Sequence, residues 1–122
     1  MAGPIVVLVV EDDAFTRMSI VDALQHDGFT VHEARNSEHA LAALEQDIGA
    51  DCLLTDVDLG SGIDGLSLAS KVHDSFPDME IVIVSGTRRT VPADVPDARF
   101  FIKPYDAGAI AATVRELVRK RR

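Results

Sequence analysis

The chain has 122 residues, 47% of them hydrophobic, a net charge of −8 and a single cysteine. That length suits one domain with one core, and the apolar content argues against disorder. No apolar run reaches the roughly 20 residues of a membrane span, "MAGPIVV" lacks the regions of a signal peptide, and the negative charge disfavours direct nucleic-acid binding, so a cytoplasmic protein is expected.

Ile5–Val10 is a short β-branched run and predicts a first strand, which stops at three consecutive carboxylates, Glu11, Asp12 and Asp13. Like charges this close repel unless a cation answers them, although the start of a helix uses one acid as a cap. Ala14–His26 predicts a helix with Met18, Val21 and Leu24 on its apolar face and Gly28 as its stop. Phe29–Ala34 is the second strand. Ser37–Gln46 is the second helix, with Ala40, Leu41 and Leu44 on one face and Glu38 in its first turn.

Cys52–Thr55 is the third strand, and Cys52 reads as a small core residue. Leu66–Ser75 groups Leu66, Ala69 and Val72 as a third helix, ended by Pro77. Ile81–Val84 and Arg99–Ile102 are the last strands. Between them "GTRRTVPADVPDAR" holds Pro92 and Pro96, which no helix interior accommodates, so a single turn or an irregular segment is expected. Asp106–Arg121 is the last helix, with Asp106 as its cap, Ile110, Val114 and Leu117 in its stripe, and a basic last turn. His26, His32, His39 and His73 show no ligand spacing and read as structural.

Five strands alternating with helices make an α/β protein with a parallel sheet covered on both faces. In such sheets ligands bind beyond the carboxyl ends of the strands. Those ends carry Glu11, Asp12 and Asp13, then Asp56 with Asp58 two residues on, then Ser85, then Lys103-Pro104. Several carboxylates in one cleft form a hard-oxygen site suited to Mg²⁺ (or Mn²⁺). A carboxylate is also a nucleophile toward a phosphoryl group, whose oxygens a lysine and a hydroxyl then stabilise. The residues therefore point to phosphoryl transfer onto an aspartate.

With "LVVEDD", "LLTDVDLG…DG", "IVIVSG" and "FFIKPY" in order, the whole chain resembles the receiver domain of two-component response regulators. The resemblance implies a flavodoxin-like (βα)5 sandwich of strand order 2-1-3-4-5, with the fourth helix shortened or irregular, and one receiver domain over residues 1–122. It implies Asp56 as phosphoacceptor, with Mg²⁺ held by Asp12, Asp56, the backbone carbonyl of Asp58 and Glu11, the last directly or through water. Ser85 and Lys103 would bind the phosphoryl oxygens, Phe100 would turn inward on activation, and Asp13 would only start the helix. Lys103-Pro104 is the expected cis bond. The implied donor is a sensor histidine kinase or histidine phosphotransfer protein, and the output an unidentified downstream protein.

Three features depart from the family pattern. No output domain follows the last helix, so a stand-alone receiver is expected. In the loop "DVDLGSGIDG" receivers more often have Met-Pro near Leu59-Gly60, the spacing to Asp64-Gly65 is longer by one residue, and Gly60 and Gly62 leave the loop freer than a proline would. Asp58 in that loop, and Thr87 two residues after Ser85, are candidates to tune the lifetime of the phosphorylated state. The segment with Pro92 and Pro96 replaces a helix of the usual docking face, where Arg88 and Arg89 are candidate partner contacts. The main alternative is a small haloacid-dehalogenase-like aspartyl-phosphate phosphatase, which "DVDLG" resembles. That family carries the motif on its first strand and its acid pair late, the reverse of the order here. A pseudo-receiver that only binds partners is the third reading, against which the full set of site residues argues.

Overall fold

The computed structural model describes residues 3–87 and 92–122. Along the chain run β1 (Val6–Val10), α1 (Ala14–His26), β2 (Thr30–Ala34), α2 (Ser37–Glu45), β3 (Cys52–Asp56), α3 (Gly65–Ser75), β4 (Glu80–Ser85), β5 (Arg99–Ile102) and α4 (Ala107–Arg121). All strands are parallel, in the order β2-β1-β3-β4-β5. This is the expected doubly wound α/β sandwich. Strand order reverses beside β1, which places a crevice at the carboxyl ends of β1 and β3.

Side chains alternate across the sheet with the period of two that a strand imposes. Val7, Val9, Cys52, Leu54, Val82 and Val84 point to one face and pack on α1 and α4. Leu8, Val10, Leu53, Ile81 and Ile83 point to the other and pack on α2 and α3. Burial on both faces explains why the central strands read as unbroken apolar runs. Each such side chain contributes roughly 1.5–3 kcal/mol before chain entropy is counted. The carboxylates at the strand ends are thus mounted on the best-packed part of the molecule. Cys52 lies fully buried, and burial pushes its thiol pKa up, as a core role requires.

Asp13, Asn36, Asp64 and Asp106 cap the four helices, each accepting a backbone N–H within the first turn. Gly28 follows α1 with φ +95°, a left-handed conformation that suits glycine and ends the helix as expected. Two apolar stripes differ from expectation. Met18 is exposed, and α1 buries Ile20 with Val21 and Leu24 instead. At about 100° per residue, Met18 lies some 110° from the centre of that inward arc. In α3 the fully buried leucine is Leu68, while Leu66 packs at the margin.

Among the described residues no helix stands between β4 and β5. A turn closes from the Val95 amide to the Pro92 carbonyl at 3.0 Å, and Val95 is buried in the cluster beneath α3. Asp94 accepts a hydrogen bond from the Ser70 hydroxyl of α3 at 3.0 Å. Arg88 and Arg89 lie outside the described residues. No described helix is long and apolar enough to cross a membrane.

Candidate functional site

Glu11 and Asp12 follow β1, Asp56 ends β3, Ser85 ends β4, and Lys103 follows β5. Parallel strands bring all of these termini to one edge of the sheet. One carboxylate oxygen from each of Glu11, Asp12 and Asp56 lies within 4.8 Å of the others. Glu11 and Asp56 are buried, while Asp12 is exposed at the mouth. The Lys103 Nζ donates to Asp56 Oδ2 at 3.1 Å and to Glu11 Oε1 at 3.2 Å. The second Glu11 oxygen, Oε2, is buried without a hydrogen-bond donor.

The electrostatics follow from that crowding. Burial, and then the Asp56 carboxylate beside it, push the Glu11 pKa up to about 8, against the pull of Lys103. Burial alone would lower the Lys103 pKa, but its hydrogen bond to Asp56 and the two negative charges hold it above the usual lysine range. One lysine thus offsets only part of the charge. Three oxygens from three carboxylates, one buried oxygen without a donor and an open mouth fit a hard divalent cation such as Mg²⁺.

The backbone beneath the acids leaves little slack. The Thr55 hydroxyl donates to the Asp56 carbonyl at 2.9 Å, and the Val57 amide bonds Val84 of β4 at 3.0 Å. The Gly65 amide bonds the Val57 carbonyl at 2.8 Å, and a methyl group at Gly65 would overlap the Asp56 carbonyl. Gly60 sits at φ +77°, where an added Cβ would stand 3.1 Å from Asp12 Oδ2. The glycines of this loop therefore admit close backbone approach to two of the acids.

Several expected residues stand outside the carboxylate–lysine contacts. Ser85 is fully buried, its hydroxyl accepting the Thr87 amide at 3.2 Å, and the Lys103 amide bonds its carbonyl at 2.7 Å. Phe100 is half-buried on the α3 side of β5, and Phe101 faces the opposite side, as the strand period requires. Asp58 and Thr87 are exposed, each two residues beyond a strand end. Asp13 turns away to cap α1, accepting the Thr16 amide at 2.8 Å. The Lys103-Pro104 bond is cis. A groove of about 570 Å³ adjoins Lys103, lined by Phe15, Thr16, Ser19, Pro104 and Tyr105. The larger groove, about 1080 Å³ between α1 and α4, includes none of the carboxylate–lysine group.

The sequence reading overlooked two residues of this site. Gly65 entered only as part of the "LLTDVDLG…DG" motif with no role of its own, because its packing partner is the Asp56 backbone. Arg17, whose Nη1 donates to the Glu11 carbonyl at 2.8 Å, was hidden as one more charge on an amphipathic helix.

Residues 7–115 match the sequence profile of the response regulator receiver domain. The chain belongs to the response regulator receiver family. It is 36% identical over 126 residues to the sensor kinase CckA of Brucella abortus, a match covering 98% of this chain and 13% of that protein. With the response regulator receiver protein CpdR of Brucella abortus it shares 30% identity over 103 residues, covering 81% of this chain and 84% of CpdR. A response regulator receiver protein from Sinorhizobium medicae superposes with a TM-score of 0.89 at 24% identity, over 98% of each chain, and so shares the fold. Its family is that of the phospho-accepting signalling domains of two-component systems, which are not classical enzymes. Receivers work with histidine kinases and phosphotransfer proteins and bind Mg²⁺ at an acidic pocket. The phosphatase alternative is not favoured: here the acid pair follows β1, and Asp56 ends β3.

Proposed function

We propose that Asp56 is the phosphoacceptor of this receiver and that Glu11, Asp12 and Asp56, with the Asp58 backbone carbonyl, hold Mg²⁺ beside it. The observation that carries this reading is Lys103, whose ammonium bridges the buried carboxylates of Asp56 and Glu11. The donor is a phosphohistidine on a histidine kinase or phosphotransfer protein in the cytoplasm. Phe15, 84% exposed, and Pro104 flank the lysine and offer an apolar rim for that protein.

An Asp56 carboxylate oxygen attacks phosphorus, the P–N bond to the donor imidazole breaks, and a P–O bond forms to give an acyl phosphate. A bound Mg²⁺ supplies positive charge for the phosphoryl oxygens and offsets the repulsion among the acids. Lys103 releases the Asp56 oxygen and pairs with the phosphoryl group, and the Ser85 hydroxyl leaves the Thr87 amide, from which it accepts, to donate its O–H to a phosphoryl oxygen. That exchange draws the end of β4 toward the site and opens room for Phe100 to turn inward, which shifts a pre-existing equilibrium. Water later attacks phosphorus and breaks the P–O bond, regenerating the carboxylate and free phosphate. Asp58 and Thr87 border the water's path and set that rate.

Labelling by radioactive acetyl phosphate tests the reading. Incorporation is expected to require Mg²⁺, to be alkali-labile and to vanish in Asp56→Asn. Undiminished labelling in that variant would overturn the assignment.

A further inference from the structure

Arg17 has no part in the chemistry above, yet its position is unusual for a cation. At about 100° per residue it falls within the same roughly 100° arc of α1 as Ile20, Val21 and Leu24, which enter the core. Only 21% of its side chain is exposed. A charge so placed needs partners. Its Nε donates to Glu33 of β2 at 3.1 Å, and its Nη1 donates to the Glu11 carbonyl oxygen at 2.8 Å.

The second bond matters because of what that carbonyl is attached to. The Glu11 amide donates to the Ala34 carbonyl at 3.0 Å, so β2 fixes one side of Glu11. Its carbonyl lies past the end of β1, in the rigid peptide plane that also contains the Asp12 amide. The orientation of that plane decides where the Asp12 carboxylate departs from the backbone. Asp12 is the exposed member of the acid group, whereas Glu11 and Asp56 are buried.

We propose that Arg17 is a positioning residue for divalent-metal binding, fixing the Glu11–Asp12 peptide so that the Asp12 carboxylate faces those of Glu11 and Asp56. The inference rests on the reading that these three acids hold Mg²⁺. Charge and positioning predict opposite signs here. Removing a nearby cation by itself tightens Mg²⁺ binding, whereas losing the peptide orientation weakens it. Partners that orient metal ligands are typically worth 10–100-fold in affinity.

The test is calorimetric titration of Mg²⁺ alone into the metal-free full chain, alongside thermal melts without metal. Arg17→Gln is expected to weaken Mg²⁺ about tenfold. Arg17→Lys, with the charge kept and one donor in place of the fork, is expected to fall between, about two- to fivefold weaker than wild type. Glu33→Gln, which removes the ion pair but leaves Nη1 on the carbonyl, is expected to stay within about twofold. A lowered melting temperature with Mg²⁺ affinity unchanged or tightened in Arg17→Gln overturns the proposal, because a merely structural or electrostatic role gives that result. Should Arg17→Gln not fold, Arg17→Lys decides, and affinity equal to or above wild type overturns the proposal. Failure of the wild type to bind Mg²⁺ overturns the metal reading itself, and the positioning role with it.

Discussion

At the edge of the sheet opposite the acids, Asp51 joins three parts of the chain. Its Oδ2 accepts the Val6 amide at 2.9 Å, and its two oxygens pair with Arg121 at 2.8 Å and Arg122 at 3.3 Å. Its side chain is 15% exposed, and the two guanidinium side chains about twice that. Burial alone would raise the Asp51 pKa, but the amide and the arginines outweigh it and hold the carboxyl below the usual range. A charge-assisted bond from an amide contributes about 1.5 kcal/mol, and each partly exposed ion pair at most about 0.5 kcal/mol. Asp51→Ala is therefore expected to cost about 2 kcal/mol, or about 8 °C in melting temperature for a domain of this size.

Asp51→Asn keeps an acceptor for the Val6 amide and loses only the charge, so about half of that effect should remain at pH 7. The sign with pH follows from the depressed folded pKa. The stabilisation is fully present above the unfolded aspartate value of about 4 and is lost as pH falls through the lower folded value. Melts followed by circular dichroism at stepped pH should show the gap between wild type and Asp51→Asn closing below about pH 4. A gap that is absent at pH 7, or that persists undiminished into acid, would refute the pairing as the source of stability.

Gly65→Ala forces a methyl group into the Asp56 carbonyl, so it should lower stability by about 2 kcal/mol or more and slow acetyl-phosphate labelling by displacing the acceptor. Unchanged labelling in a folded variant would show that the loop can shift away at no cost to the site. Asp58→Asn should change the decay rate of phosphorylated protein, followed as loss of label after donor removal, while leaving labelling at Asp56 intact; an unchanged decay rate would remove Asp58 from the tuning role. Asp13→Ala should lower the melting temperature by removing the α1 cap, yet leave the Mg²⁺ titration as in wild type. A weakened titration would place Asp13 within the metal site.

The strands and the edge that bears the acids were readable because both depend on local pattern. Short β-branched runs end in Glu11-Asp12, Asp56, Ser85 and Lys103, and a parallel α/β sheet collects such ends without further information. The segment around Pro92 and Pro96 was readable for the opposite reason, since proline forbids a helix whatever the tertiary setting. What stayed hidden depends on contacts between backbone and distant side chains. Met18 and Ile20 are equally apolar in sequence, and only the rotation of α1 on the sheet decides which is buried. The importance of Gly65 comes from a carbonyl nine residues earlier in the chain, and that of Arg17 from a carbonyl past the end of β1. Gly65 stands in a quoted motif and Arg17 on a helix, but the contact that gives each its role is with backbone, which no side-chain pattern displays.

The two edges of the sheet carry opposite electrostatic arrangements. At the amino edge one carboxylate, Asp51, meets two arginines and an amide, so its charge is fully answered within the fold. At the carboxyl edge three carboxylates meet one lysine, and Glu11 Oε2 is left without a donor. Deleting an acid from the first edge removes a partner, whereas deleting one from the second also relieves repulsion. Neutralising Asp51 should therefore destabilise the fold, while neutralising Asp56 should leave stability nearly unchanged or raise it. An acid cluster that leaves a buried oxygen without a donor is poor as a structural device. Its place at the ends of the central strands supports the proposed role of holding a divalent ion beside a phosphoryl group.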